Sequence, residues 1–207
     1  MSEKDNHPSD IDLSRFYVVP KQELHIKDFD NRGAWILDIG GGGEGIIGLL
    51  KGRDVIAIDR VKRELEETKN SSLKIVMDVN EMQFLDASFS YATAFFTFMY
   101  IPEADFEGAL SEIWRVLRPG GELMVWEPIF TIPPEEQTKK LAVIPLKIHL
   151  PNGSIIETGY GGILRNQGID TIIGPAKKTG FKAIEKKIDK QTFFVKLQKP
   201  DRPVGRS

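Results

Sequence analysis

The chain has no cysteine, only three histidines (His7, His25 and His149), and no apolar run of membrane-spanning length. Without cysteine there is no disulfide, no thiolate nucleophile and no thiolate-bound metal. Three scattered histidines make a histidine-based metal centre unexpected, and no metal is assigned. No segment approaches the roughly 20 apolar residues that cross a bilayer. Met1–Asp12 is polar and lacks the apolar core of a secretory leader. Net charge is scarce too: 28 Lys and Arg against 30 Asp and Glu leave −2. A broad basic footprint for nucleic acid is therefore missing. These absences together predict a cytoplasmic protein with neither nucleic acid nor membrane as partner.

The chain has 207 residues, 41% of them hydrophobic, which suits a single domain over 1–207 with tails at 1–12 and 200–207. Its most informative segment is Trp35–Leu50. There an apolar run ends in Asp38, passes through Gly40, Gly41, Gly42, Gly43 and Gly45, and resumes as a helix-compatible apolar run. A buried parallel strand turns into a helix this way around a nucleotide-like cofactor. Glycines admit positive φ and let a ligand approach bare main chain. The helix start adds unpaired N–H groups that favour a carboxylate or phosphate. A flexible linker would not be gripped by apolar runs on both sides.

Downstream, strands at 35–39, 55–58, 73–77, 91–96 and 122–126 alternate with helices to about Leu50, over 61–69 and over 103–117. That rhythm predicts a doubly wound, Rossmann-like parallel sheet with ligands at the carboxyl ends of its strands. Asp38, Asp59 and Asp78 all fall at such ends. Residues 20–34 read as a polar connection. Over 131–169 the rhythm breaks: two alternating runs flank Pro151-Asn152-Gly153, a strong hairpin signal. A helix at about 170–178 and strands at 182–188 and 191–197 close the chain. The expected fold is a seven-stranded sheet with its last strand antiparallel and a hairpin inserted after strand five.

Gly40-x-Gly42-x-x-Gly45 with Asp59 also fits the dinucleotide fingerprint. However, an acid sits two residues before the first glycine, and little chain remains for a dehydrogenase substrate domain. The sequence instead resembles the class I S-adenosylmethionine-dependent methyltransferases. Ile36–Gly42 is similar to their first motif, and Val55–Asp59 to the second strand with its ribose-binding acid. Asp78 followed by Met82–Ser90 resembles the stretch from the adenine-contacting acid into strand four. Glu112–Gly121 is close to the helix-to-strand-five segment, and Gly180-Phe181 precedes a terminal strand pair. The resemblance covers about 34–128 and 170–198. One departure is Glu44 where the family has a third glycine, with Gly45 next, so the loop is expected to be shifted by a residue.

The resemblance implies S-adenosylmethionine as cofactor. Asp59 would accept from the ribose hydroxyls, and Asp78 from the adenine amino group with Val79 alongside. Gly40, Gly41 and Gly42 would face the methionine end, with Asp38 orienting the loop or the ammonium. Arg60 and Phe96 complete the expected cofactor set. Each acid could instead be a loop residue or a helix N-cap.

No catalytic base stands out; Tyr100 after strand four and Glu127 after strand five are the candidates. Phe95-Phe96-Thr97-Phe98-Met99-Tyr100-Ile101-Pro102 lacks the Asn/Asp-Pro-Pro-aromatic motif of methylases acting on base and glutamine amino groups. Its aromatics could line a cavity for an apolar or cationic substrate, although at least two of the three phenylalanines are expected in the core. His149 and Tyr160 would reach the site only if the hairpin folds over it. The expected function is methyl transfer to a small molecule by in-line displacement. The competing readings are a non-catalytic cofactor- or partner-binding protein and, behind it, an NAD-dependent oxidoreductase. The 131–169 insertion is expected to cap the substrate cavity, its rival role being a homodimer edge.

Overall fold

The computed structural model describes residues 15–201. The expected tails, apart from residues 200 and 201, and His7 lie outside them. The main sheet is built from β3 (Ile36–Ile39), β4 (Val55–Asp59), β5 (Leu73–Val76), β6 (Phe89–Phe95), β7 (Leu117–Pro128), β10 (Lys182–Asp189) and β11 (Thr192–Gln198), in the spatial order β10-β11-β7-β6-β3-β4-β5. All pairs from β7 to β5 are parallel, and β11 alone runs antiparallel to both of its neighbours. The order reverses between β3 and β6, so strand tips open a crevice there.

The two faces of the sheet are covered for different reasons. The helix α3 (Phe106–Val116) buries Phe106, Ala109, Leu110, Ile113 and Val116, an i, i+3, i+4, i+7 stripe. It packs beside α4 (Ile169–Thr179) on a core that includes Leu37, Ala92, Leu123 and Val195. Each fully buried Leu or Phe contributes roughly 1.5–3 kcal/mol. On another side, α1 (Ile46–Lys51) and α2 (Lys62–Glu67) seat Ile47 and Leu65 against Ile36, Val55 and Ala57.

A second, smaller sheet is centred on β8 (Leu141–His149). The strand β9 (Ile155–Ile163) pairs antiparallel along one edge of β8, through the turn expected at Pro151-Asn152-Gly153. The other edge takes two segments in parallel, β1 (Phe16–Val18) and β2 (Gln22–His25). Val18 faces Val143 but Gln22 faces Leu146, so the N-terminal run carries one extra residue around Pro20, which has no N–H to donate. The polar connection expected at 20–34 is thus corrected: Gln22–His25 is a strand. Its in-out alternation has meaning only once β8 supplies the partner. This sheet rests on Ile46, Phe95, Phe96, Met99 and Trp126, so the hairpin packs on the main sheet rather than projecting from it. No helix among the described residues is long and apolar enough to cross a membrane.

Candidate active site

The glycine loop sits where β3 passes into α1. Gly42 has no room for a side chain: a Cβ there would lie 2.6 Å from Glu64 Cβ and 2.9 Å from Asp59 Oδ2. Gly45 holds the N-terminal position of α1 at φ +56°, in the left-handed region that glycine enters without strain. The residue before Gly45 carries a side chain here. That residue, Glu44, lines the cleft and accepts a hydrogen bond from the Thr158 hydroxyl on β9. The amides of Gly41, Gly43 and Gly45 hold the loop's shape, donating to Ile58, Glu64 and Gly42 carbonyls at 3.0–3.1 Å.

Three acids of consecutive strands meet this loop. Asp38 is buried, and its Oδ1 accepts from Thr93 Oγ1 at 2.7 Å. Burial pushes its carboxyl up to about 7; the Thr93 hydrogen bond pulls it down, and the nearby charge of Asp59 adds to the rise. Asp59 ends β4 and accepts from the Val61 amide at 2.8 Å. Asp78 follows β5 and accepts from Asn80 N at 2.8 Å and Asn80 Nδ2 at 3.0 Å. The capping role that such acids can play is therefore realised at Asp78 in one oxygen. Among the described residues, the second oxygen of Asp59 and of Asp78 accepts nothing from protein.

Around them lies a cleft of about 670 Å³, within the roughly 300–1,000 Å³ of small-molecule sites. Asp38, Gly40, Gly41, Gly42, Asp59, Arg60, Asp78, Val79 and Phe96 all line it, as does Tyr100. Phe96 adopts φ +52°, a strained conformation for a bulky residue. Its ring is buried and stacks on Tyr160 of β9, with centroids 5.2 Å apart and planes 20° apart. Tyr160 and Gly159 line the cleft from the hairpin side, whereas His149 does not. Phe98 faces the main core with no exposure.

Glu127 departs from its expected place. It has no solvent exposure and does not line the cleft. Its carboxyl accepts from Phe98 N at 2.6 Å, Met99 N at 3.1 Å and Gln167 Nε2 at 3.0 Å. Arg165 bonds the same Gln167 and the carbonyls of Phe98 and Ile101. Glu127 therefore fixes the turn that carries Tyr100 and is too enclosed to exchange a proton with a substrate. Burial pushes its carboxyl up to about 8, opposed by those donors. Burial also pushes the Tyr100 hydroxyl up to about 12, so Tyr100 holds its proton at neutral pH. Glu64, Glu67, Asp105 and Gly159 also line the cleft. Nothing in the sequence singled them out, because they come from helix and hairpin surfaces that only tertiary packing turns toward the loop.

A parallel sheet of this strand order, with a glycine loop and acids at three successive tips, defines the class I methyltransferase architecture. Residues 37–125 match the family model described as a methyltransferase domain. A methyltransferase of Methanosarcina mazei, named as S-adenosylmethionine-dependent, superposes with a TM-score of 0.58 at 18% identity, over 80% of this chain and 92% of that one. One from Mesorhizobium loti gives 0.58 at 12% identity, over 80% and 91%. A chain of the complex between the Haloferax volcanii Trm112 methyltransferase activator and a methyltransferase candidate gives 0.57 at 17%, over 81% and 82%. At such identities these likenesses concern the fold. No curated protein matches the sequence.

The match over 37–125 marks a methyltransferase domain, and the fold is that of S-adenosylmethionine-dependent methyltransferases, which points to S-adenosylmethionine as the cofactor. The residues present fit that cofactor. Bare main chain at Gly42 allows close approach, and carboxylate oxygens without protein donors face the cleft at the tips of β4 and β5.

Proposed function

We propose that the enzyme methylates a small neutral or basic molecule held between the glycine loop and Tyr160. When bound, S-adenosylmethionine supplies a methyl group made electrophilic by its sulfonium. Asp59 holds the ribose, Asp78 with Val79 the adenine edge, and Asp38 with Gly40, Gly41 and Gly42 the amino-acid end; Arg60 and Phe96 flank it. The observation that carries the choice of acceptor is the charge of the walls. Beyond the acids given to the cofactor, Glu44, Glu64, Glu67 and Asp105 also line the cleft, and among the described residues Arg60 is its one basic residue. An anionic acceptor would meet like charge in a site of reduced dielectric, which costs several kcal/mol. Aromatic walls at Phe95, Phe96, Tyr100 and Tyr160 suit an apolar or cationic group.

In-line transfer asks the protein mainly to align donor and acceptor and to keep water out, effects worth roughly 7–11 kcal/mol. The hairpin supports that role, since Tyr160 closes the cleft over Phe96. With no proton acceptor of suitable pKa at Tyr100, the acceptor atom is expected to arrive deprotonated or to lose its proton to water. Tyr160→Ala should lower kcat/KM at least about tenfold while leaving the Kd for S-adenosylhomocysteine within about twofold. Unchanged turnover would remove the cap from the mechanism. A screen of amines, phenols and carboxylates with methyl-labelled cofactor tests the acceptor class. Labelled carboxylic esters as the main product would refute it.

The Asp38 carboxyl adds a pH signature. Its pKa of about 7 means that it is neutral below that value and charged above it. If it holds the ammonium of the cofactor, affinity should fall about tenfold per pH unit below about 7. Calorimetry between pH 5.5 and 8.5 measures this, and Asp38→Asn should flatten the profile.

A further inference from the structure

Far from the cleft, on the outer face of the small sheet, two of the chain's three histidines come together. His25 on β2 and His149 on β8 are direct partners in the parallel register. Their rings stack, with centroids 4.3 Å apart and planes 10° apart. Glu23 stands two residues before His25, hence on the same face of β2, and its Oε1 lies 2.5 Å from His149 Nε2. One ligand atom from each of the three residues lies within 4.8 Å of the others. Lys147 also reaches Glu23, at 3.5 Å.

We propose that Glu23, His25 and His149 form a binding site for a divalent first-row transition metal, zinc foremost. Two imidazoles and one carboxylate are a donor set that such borderline ions prefer over oxygen-seeking magnesium or calcium. Zinc–ligand bonds of about 2.0–2.2 Å put neighbouring donors somewhat over 3 Å apart, inside the present spread. The stacked rings must tilt open so that both lone pairs point to one centre. His25 is exposed and His149 half-buried, so the opening asks for side-chain rotation with the strands in place. Water fills the remaining position, and the Lys147 ammonium swings away from Glu23.

The site would tie β2 to β8. Because β8 pairs with β9, which brings Gly159 and Tyr160 to the cleft, the metal would be a structural clasp on the cap, outside the methyl-transfer chemistry. The assignment does not depend on the acceptor proposed above.

The test uses chelator-treated full-length protein titrated with zinc chloride in a calorimeter, with cobalt(II) absorption as a second reading of ligand geometry. One equivalent should bind and raise the melting temperature by several degrees, since a ligand in excess stabilises the folded state. His25→Ala and His149→Ala should each weaken binding at least about tenfold and Glu23→Gln measurably, with circular dichroism and S-adenosylhomocysteine affinity unchanged. His7→Ala should bind as the parent does. Absence of saturable binding, equal binding by the His25→Ala/His149→Ala double variant, or loss of binding in His7→Ala would each overturn the proposal.

Discussion

Asp59→Ala should weaken S-adenosylhomocysteine binding about a hundredfold. A carboxylate that accepts two ribose hydroxyls makes charged hydrogen bonds worth roughly 1.5–3 kcal/mol each, and about 3 kcal/mol is two orders of magnitude in Kd. The position is prepared for this. One oxygen is anchored by the Val61 amide at 2.8 Å, while the other looks across at Gly42. Asp59→Asn keeps the shape and one acceptor, so its loss should be nearer tenfold. A second consequence follows from the charge of Asp59, which helps hold Asp38 high. In Asp59→Asn the pH midpoint of binding should therefore move down. Calorimetry on both variants gives both numbers, and an unchanged Kd in Asp59→Ala would dismantle the cofactor assignment.

Glu127→Ala should produce the largest loss of stability. Truncation leaves the Phe98 and Met99 amides buried without an acceptor and takes from Gln167 Nε2 one of its two, the Pro128 carbonyl remaining. Each such group costs about 1–3 kcal/mol, so a melting temperature lower by on the order of 10 °C is expected at this chain length. The pH behaviour has a defined sign. A carboxyl held at about 8 when folded and in the ordinary range when unfolded keeps its proton longer in the native state. Its stabilising contribution is full at low pH and is lost as pH rises toward about 8, at no more than about 1.4 kcal/mol per pH unit. Asp38 acts in the same sense up to about 7. Melting temperature should therefore fall between pH 5 and 8, and Glu127→Gln should flatten the part above pH 7. A parent protein that becomes more stable over that interval would contradict this account.

The main sheet was legible because each of its elements announces itself locally. Ile36–Ile39 and Val55–Asp59 are short apolar runs closed by an acid or a glycine, and α3 shows its buried stripe as a period of 3.6. Family-like motifs then ordered these elements. The residues expected to hold the cofactor lie within a few positions of those strand tips, so the fold brings them to one cleft. Glu127 carried the same strand-end signal and yet turned inward. Position along β7 does not reveal that three donors wait for it on the Phe98 turn and at Gln167. Gln22–His25 stayed hidden for a similar reason: its strand partner lies over 120 residues away. The Glu23, His25 and His149 cluster is invisible to spacing rules, which cannot see across that distance. Tyr160 was readable only conditionally, since hairpin residues reach a cleft or miss it according to how the hairpin lies.

The pairing of Phe16–His25 with β8 dictates an order of assembly. During synthesis the first strands of the small sheet leave the ribosome when their partner is still more than a hundred residues from being made. Closing so long a loop early is entropically unfavourable. The central sheet, rich in neighbouring strand pairs, should form first and fix where Phe95 and Trp126 stand. Only then can the opening and later segments of the chain meet over it, so the roof of the catalytic chamber is the last part of the molecule to take shape.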